Sequence, residues 1–515
     1  MEQQSGGSSA SVFVSGCDLL ARPGEHLTGV DVEIADGLIA AVRPTGEAAP
    51  PPGARVIEGR GLLAMPGLVN AHSHSPENCL RGVGEGLVLE PWLLRMFGSS
   101  GLYDAEDHYV NSIAGALEML LLGVTTVVDH LWMTPPSLDA VGGAVRAYDE
   151  IGIRAGVAPL VNDHDFTGEL AAAIGFDLGP ALMSEQVRFL ETGELLAMFD
   201  EAVGRWHGAA DGRIRILAGP GGVQWCSDEL LGGLADAARG HDTGLHIHLL
   251  ETAQQRAVCQ SRFGRSGVAA LADLGVLGPA TSLPHSVWID EDDIAAIVES
   301  DSIVVHNPAA NLRLGSGRCP VGMLHRAGAR VAVGTDGSAS SDNQNLWEMV
   351  KLAALIHNDG PRWVSGHDAL AMATTGGMGA IAPPSRGGSG ADGPEPGVIA
   401  AGAPADLILL DRPLDGLAGA QELEPSLALS ESGRSVRHVI VDGRLVVEHG
   451  RCLTVDEAAV RAALREQVER RRAGVVDPPA ATGEAMSRME SFNQSLSESA
   501  AAVSIKRGGG SGASN

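Results

Sequence analysis

His72 and His74, in Asn70-Ala-His-Ser-His74, open a series of residues whose types and spacing suggest chemistry. Alternate residues of an extended segment point the same way, so both imidazoles can reach one ion. Further along stand His246-Ile-His248-Leu-Leu-Glu251-Thr252, His285 after Pro284, His306-Asn307-Pro308, and Thr335-Asp336-Gly337. Three histidines and one aspartate converging on a point make a site for one divalent first-row metal, zinc by preference, with iron or manganese as alternatives. Such an ion lowers the pKa of its water to about 7 and so supplies hydroxide at neutral pH. Glu251, three residues past His248, then suits a proton shuttle better than a ligand. Each fragment alone is commonplace, because paired histidines are usually packing or surface residues. In this order, each at the end of an apolar run, they point to a metal centre.

Positioning them requires strands that end together. Apolar runs at Met65–Asn70, Thr125–His130, Gly156–Val161, Ile214–Gly219, Gly244–Leu249, Ser282–Trp288, Ile303–Asn307 and Arg330–Asp336 alternate with amphipathic stretches. Such a βα series predicts an α/β fold, a (β/α)8 TIM barrel, with a doubly wound sheet as the alternative. In a barrel the chemistry sits at the C-terminal strand ends. Short alternating strands fill residues 11–65, and more follow at Asp406–Leu410 and Val439–Val447, where Asp442-Gly443 signals a hairpin. The expected domains are therefore a small β-sandwich built from both ends (1–64 and 386–455), the barrel (65–385), and a C-terminal segment (456–515). That last segment holds a helix over Ala458–Arg472 and a tail expected to be disordered. Pro383–Pro396 reads as a Gly/Pro-rich loop.

Composition narrows the function. The 515 residues carry 36 Lys+Arg against 64 Asp+Glu, a net charge of −28. So acidic a chain suits neither nucleic acid nor an anionic membrane as a partner. No run reaches the roughly 18–20 apolar residues of a membrane span. The six cysteines are scattered without a CxxC pair, and the N-terminus lacks signal-peptide character, so a reduced cytoplasmic protein is expected. Lysine occurs only at Lys351 and Lys506.

The chain resembles the amidohydrolase superfamily, in its chlorohydrolase/deaminase branch, which holds S-adenosylhomocysteine deaminases, guanine deaminases and s-triazine hydrolases. The resemblance rests on Met65-Pro-Gly-Leu-Val-Asn-Ala-His-Ser-His74, Leu80-Arg-Gly82, Gly123-Val-Thr-Thr-Val-Val-Asp129, His246–Thr252, His306–Leu314, Gly334-Thr-Asp-Gly337, Gly402-Ala-Pro-Ala-Asp-Leu407 and Val441-Asp-Gly443. It implies His72, His74, His248 and Asp336 as metal ligands, Glu251 as acid/base, and His285 beside the attacked carbon. Asp336 doubles as the group that takes the water's proton. His246 and His306 are then supporting or packing residues. Some members bind two metals through a carbamylated lysine ending the fourth strand. Ile214–Gly219 has no lysine, which leaves a single metal.

The implied activity is hydrolytic deamination of a small aminated heterocycle (purine, pyrimidine or s-triazine), with metal hydroxide attacking and ammonia leaving. The alternative is another leaving group: chloride, alkylamine or a cyclic amide. A non-enzymatic relative would be expected to have lost ligands, and all four are present. Resemblance also implies a homodimer or higher homo-oligomer. Adenine-nucleoside deaminases of this branch carry a Pro-His-(Ala/Ser)-Pro-Tyr-like segment after the fourth strand, whose histidine meets substrate. Here Gly219-Pro-Gly-Gly-Val-Gln-Trp-Cys-Ser227 puts Gly221 at that place, which argues away from an adenosine-type substrate. Gln224, Trp225, Glu77, Arg81 and Trp92 are the expected substrate-binding residues, with His130 nearby.

Overall fold

The structure is a computed structural model that describes residues 11–100, 102–164, 190–357, 364–381, 396–412 and 422–474, with 487 and 491 besides. Residues 383–395 of the expected loop, the boundary at 385 and the expected disordered tail lie outside them.

The N-terminal strands are β1 (Val12–Arg22), β2 (Glu25–Ala35), β3 (Leu38–Pro44), β4 (Arg55–Glu58) and β5 (Leu62–Pro66). Then come β6 (Leu68–Ser73), β7 (Val124–Trp132), β8 (Arg154–Val161), β9 (Ile214–Ile216), β10 (Gly219–Pro220), β11 (Leu245–His246), β12 (Thr281–Pro284), β13 (Ile303–His306) and β14 (Arg330–Val333). The last four are β15 (Leu407–Asp411), β16 (Val436–Val441), β17 (Arg444–Glu448) and β18 (Arg451–Cys452).

The first and last groups form one nine-stranded sheet, ordered β18-β17-β16-β15-β5-β1-β2-β3, with β4 on β1. Its strands alternate between two cores. Ala64, Leu407 and Leu409 face the sheet's own core, while Leu63, Met65, Ile408 and Leu410 face the barrel. Arg154 of β8 ties the two units, donating to Asp406 at 3.0 and 3.2 Å and to Asp442 at 3.3 Å. The β16–β17 turn has Asp442 at φ 52° and Gly443 at φ 72°, the double positive φ that an Asp-Gly hairpin supplies.

The fold is the expected α/β barrel. β6 to β14 are parallel and fall into two sheets, β10-β8-β7-β6 with β9 on β8, and β11-β12-β13-β14. β9 and β10 are successive pieces of one strand position, which makes eight. Backbone bridges Ala218–Leu245 and Gly222–His248 join the sheets at one seam. At the other, the Asp336 amide donates to the His72 carbonyl at 2.9 Å, and the Thr335 amide to Asn70 Oδ1 at 3.0 Å. β6 and β7 are buried along their whole length, as strands covered on both faces must be. The run at residues 65–70 proved to be two strands. Met65 and Pro66 end β5 of the accessory sheet, and the barrel begins at Leu68 after Gly67, where any Cβ would fall 2.1 Å from Thr125 Oγ1.

One irregularity aims the site. Val69 and Ala71 belong to the barrel's interior cluster. Strict alternation would then send His72 and His74 outward. Between Asn70 and Ser73 the register with β7 slips, three residues matching two (Asn70 opposite Val127, Ser73 opposite Asp129). Such a bulge re-aims the side chains that follow it. Both histidines turn inward.

Candidate active site

The strand ends bring His72, His74, His248, His285 and Asp336 together. The His72 ring centre lies 4.8 Å from His74, 5.0 Å from His248 and 5.3 Å from His285. Asp336 Oδ1 is 3.4 Å from Nε2 of both His72 and His74. His72 with His74 and Asp336, and His72 with His248 and His285, form groups whose ligand atoms could hold one ion.

Hydrogen bonds behind the rings decide which nitrogens are bare. His74 Nδ1 lies 2.6 Å from the His130 carbonyl, and His248 Nδ1 2.5 Å from the Gly221 carbonyl. A carbonyl only accepts, so each Nδ1 carries the hydrogen and each Nε2 is bare when the ring is neutral. These two Nε2 atoms face each other at 3.2 Å. Two lone pairs at that distance repel unless a cation lies against both. His72 reaches the same state by a longer relay. Ser282 Oγ donates to the Leu245 carbonyl at 3.3 Å, leaving its lone pair for His246 Nδ1–H at 2.6 Å. His246 Nε2 then accepts from His72 Nδ1 at 2.7 Å. His72 Nε2, fully buried, has no hydrogen-bond partner among the described residues. Burial first, and repulsion among the rings second, holds His72, His246 and His248 far below the ordinary histidine range. Neutral, oriented, bare imidazoles beside a carboxylate fit a divalent metal.

Glu251 lies beyond His248, 3.6 Å from His285 Nδ1. Burial pushes its carboxyl well above the ordinary range. Nearby Asp336 adds to this, and the 2.9 Å bond from Ser316 Oγ opposes it. Its surroundings therefore favour the protonated carboxyl over the carboxylate. His285, in a left-handed conformation (φ 71°), is held at Nδ1 by Asn311 Oδ1 at 2.8 Å. Asp336 (φ 65°) accepts from the Gly337 amide at 2.8 Å.

His74, His248, Glu251, His285 and Asp336 line one cavity with Glu77, Trp92, Trp132, Trp225 and a wall that includes Leu89, Met96, Leu160 and Leu314. Of the expected substrate-binding residues, Glu77, Trp92 and Trp225 reach it. Glu77 is buried there with Oε2 accepting from the Ala339 amide at 3.0 Å, and burial raises its carboxyl to about 7 despite His74. Gln224 and Arg81 require correction. Val223–Trp225 is a single turn of 3-10 helix, so successive side chains diverge by about 120°. Trp225 faces the cavity, and Gln224 turns into the protein, buried without a hydrogen-bond partner among the described residues. Arg81 lies on the far side of the Ser75–Cys79 turn, paired with Glu118 and donating to Ser338 Oγ at 3.3 Å. His306 contacts His357 Nε2 at 3.1 Å, away from the cavity, and His130 stacks behind His248.

Asn162 and His164 line the cavity without having been expected. The available signal was their place just after the Gly156–Val161 run. Asn162 also explains Gly221. A Cβ at 221 would fall 2.1 Å from Asn162 Oδ1, so the amide occupies the space where a side chain from that position would begin.

A sequence profile described as the amidohydrolase family matches residues 63–446. The chain belongs to the amidohydrolase family. It is 33% identical over 413 residues to a 5'-deoxyadenosine deaminase of Methanosarcina mazei, covering 79% of this chain and 85% of that one. It is 33% identical over 419 residues to a 5-methylthioadenosine/S-adenosylhomocysteine deaminase of Moorella thermoacetica, covering 81% and 89%. An adenosine deaminase from Xanthomonas campestris with bound zinc superposes with a TM-score of 0.78 at 25% identity, covering 91% of this chain and all of that one. Atrazine chlorohydrolase of Arthrobacter aurescens, complexed with zinc, gives 0.77 at 25% identity over 89% of this chain and all of its own. Both sequence relatives are named for adenine-derived nucleosides, the substrate class that Gly221 argued away from. Among the described residues, no helix is long and apolar enough to cross a membrane.

Proposed function

We propose that this amidohydrolase is a hydrolytic deaminase of an aminated nitrogen heterocycle, an adenine-derived nucleoside before a pyrimidine or s-triazine, using one divalent metal, zinc first. The observation that carries the reading is the pairing of bare, facing imidazole nitrogens with a buried carboxyl, Glu251, beside His285 at one end of an aromatic cavity. His72, His74, His248 and Asp336 hold the ion, which when bound supplies Lewis acidity and a water acidic enough to act at neutral pH. Asp336 takes the proton of the attacking water. Glu251 gives its proton to the ring nitrogen next to the attacked carbon, takes up the proton of the adduct's hydroxyl and hands it to the departing amine, and is reset by the proton that Asp336 holds. Water's oxygen thus replaces the exocyclic nitrogen, which leaves as ammonia. His285, its ring fixed by Asn311, stands beside the adduct. Trp92 and Trp225 offer faces for the heterocycle, and Asn162 and Glu77 offer polar contacts at its edge.

The test is ammonia release from a panel of adenosine derivatives, aminopyrimidines and triazines, with Glu251→Gln beside the wild type. The expected result is turnover of an adenine-derived nucleoside, and a variant that retains metal but loses at least about a hundredfold in rate. Equal turnover by the variant would refute the assignment of Glu251. The likeness to atrazine chlorohydrolase supports one second reading, chloride or alkylamine as the leaving group. Chloride release from a chlorotriazine without ammonia release from any amine would favour it.

A further inference from the structure

The helix Glu457–Gly474 lies beyond the matched stretch 63–446. Leu464, Gln467, Val468 and Arg471 recur at helical spacing on one face. Leu464 and Val468 pack against a cluster that contains Leu89, Trp92, Met96 and Trp132, four residues of the cavity wall. The polar residues reach the same place by another route. Gln467 Nε2 donates to Asp107 Oδ1 at 3.0 Å, and Arg471 Nη2 to Asp107 Oδ2 at 2.6 Å. The Arg471 guanidinium lies 3.7 Å above the ring of Tyr103. Tyr103 is itself buried, and its hydroxyl donates to the Pro76 carbonyl at 3.1 Å and lies 3.0 Å from Cys79 Sγ. Pro76 and Cys79 bracket Glu77, which that turn carries into the cavity. Across the cavity edge the Ala339 amide binds Glu77, and Ser338 Oγ donates to Asn78 Oδ1 at 2.7 Å.

We propose that Arg471 and Tyr103 are positioning residues: through them the C-terminal helix holds the Ser75–Cys79 turn and the tryptophan wall, and so sets substrate affinity. This rests on the cavity being the substrate site. Neither residue touches the metal-facing nitrogens, so the effect falls on KM rather than on metal content or kcat. A cation stacked on a buried aromatic ring and a hydrogen bond in a buried turn are each strong enough to matter at that scale.

The test is steady-state kinetics on Tyr103→Phe, Arg471→Ala and Arg471→Lys, with bound metal measured on each. Tyr103→Phe keeps the ring and removes only its bond to Pro76 and Cys79. KM should rise about fivefold in Tyr103→Phe and about tenfold in Arg471→Ala, with kcat within about twofold and metal unchanged. Arg471→Lys should fall between wild type and Arg471→Ala, because it keeps the charge but not the flat stacking surface. Arg465→Ala, an exposed residue of the same helix, should leave KM unchanged. A readout independent of turnover is the alkylation rate of Cys79, followed by peptide mass spectrometry, which should rise in Arg471→Ala. Unchanged KM and unchanged Cys79 reactivity in Arg471→Ala would overturn the proposal, as would loss of metal with KM unaltered. A wild type without turnover refutes the deaminase reading instead, and the labelling rate then decides this one alone.

Discussion

Replacing His246 with alanine should weaken metal binding although His246 presents no nitrogen to the ion. In the wild type, His72 Nδ1–H donates to His246 Nε2 at 2.7 Å, which keeps the His72 hydrogen away from the metal-facing side. The variant leaves a fully buried N–H without that acceptor. The metal-free ring can escape by shifting its hydrogen to Nε2, where Asp336 Oδ1 waits 3.4 Å away. Binding an ion must reverse the shift, so the cost of the orphaned donor, about 1–3 kcal/mol, falls on the bound state. That corresponds to roughly 5- to 150-fold weaker binding, in line with the loss of about 10–100-fold seen when a ligand's supporting partner is removed. Zinc titration of the metal-free chain against a chromophoric chelator measures it. His246→Gln, whose amide oxygen can accept the same bond, should recover part of the loss, and Ser282→Ala should be milder than His246→Ala. A His246→Ala chain that binds zinc as tightly as wild type, or a Gln variant no better than Ala, refutes the relay.

Other expectations follow from the same coordinates. Gly221→Ala should lower kcat/KM, because its Cβ meets Asn162 Oδ1 at 2.1 Å at a cost of about 1–3 kcal/mol, while Gly221→Ala with Asn162→Ala should recover the loss due to the clash. Burial pushes His108 and His438 down to about 4 each. The unfolded chain binds protons that the native chain refuses between pH 4 and about 6.5, so stability should fall as pH drops through that window. Urea midpoints at pH 5 and 7.5 should show it, with a shallower dependence in His438→Gln. Arg154→Met should lower stability by about 3 kcal/mol by stranding Asp406, read as a lower calorimetric transition midpoint.

Much of the site was legible because its signals are local. A polar residue ending an apolar strand reads the same in sequence and in space. His248, Glu251, His285 and Asp336 needed only that rule and the expectation that parallel strands end together. The Asp442-Gly443 hairpin needed only the tolerance of those residues for positive φ. Gln224 and Trp225 mark where local reading fails. Whether Val223–Trp225 run extended or coil into one 3-10 turn decides which side chain meets the cavity, and composition does not distinguish the two. Arg81 failed for a related reason, since a turn separates it from Glu77 and carries the two to opposite sides.

By itself the sequence determined the inventory of chemistry. It supplies the imidazoles, the carboxylates and their order, and the absence of lysine from the fourth strand leaves no carbamylated lysine there to bridge two metals. Those are properties of residue identity, which folding cannot alter. The tertiary structure decided orientation. A bulge between Asn70 and Ser73 turned His72 and His74 inward. A relay from Leu245 through Ser282 and His246 chose which nitrogen of His72 is bare, and Asn162 filled the space beside Gly221. Each depends on which atoms from distant strands become neighbours when the barrel closes, and strand periodicity carries no information about that.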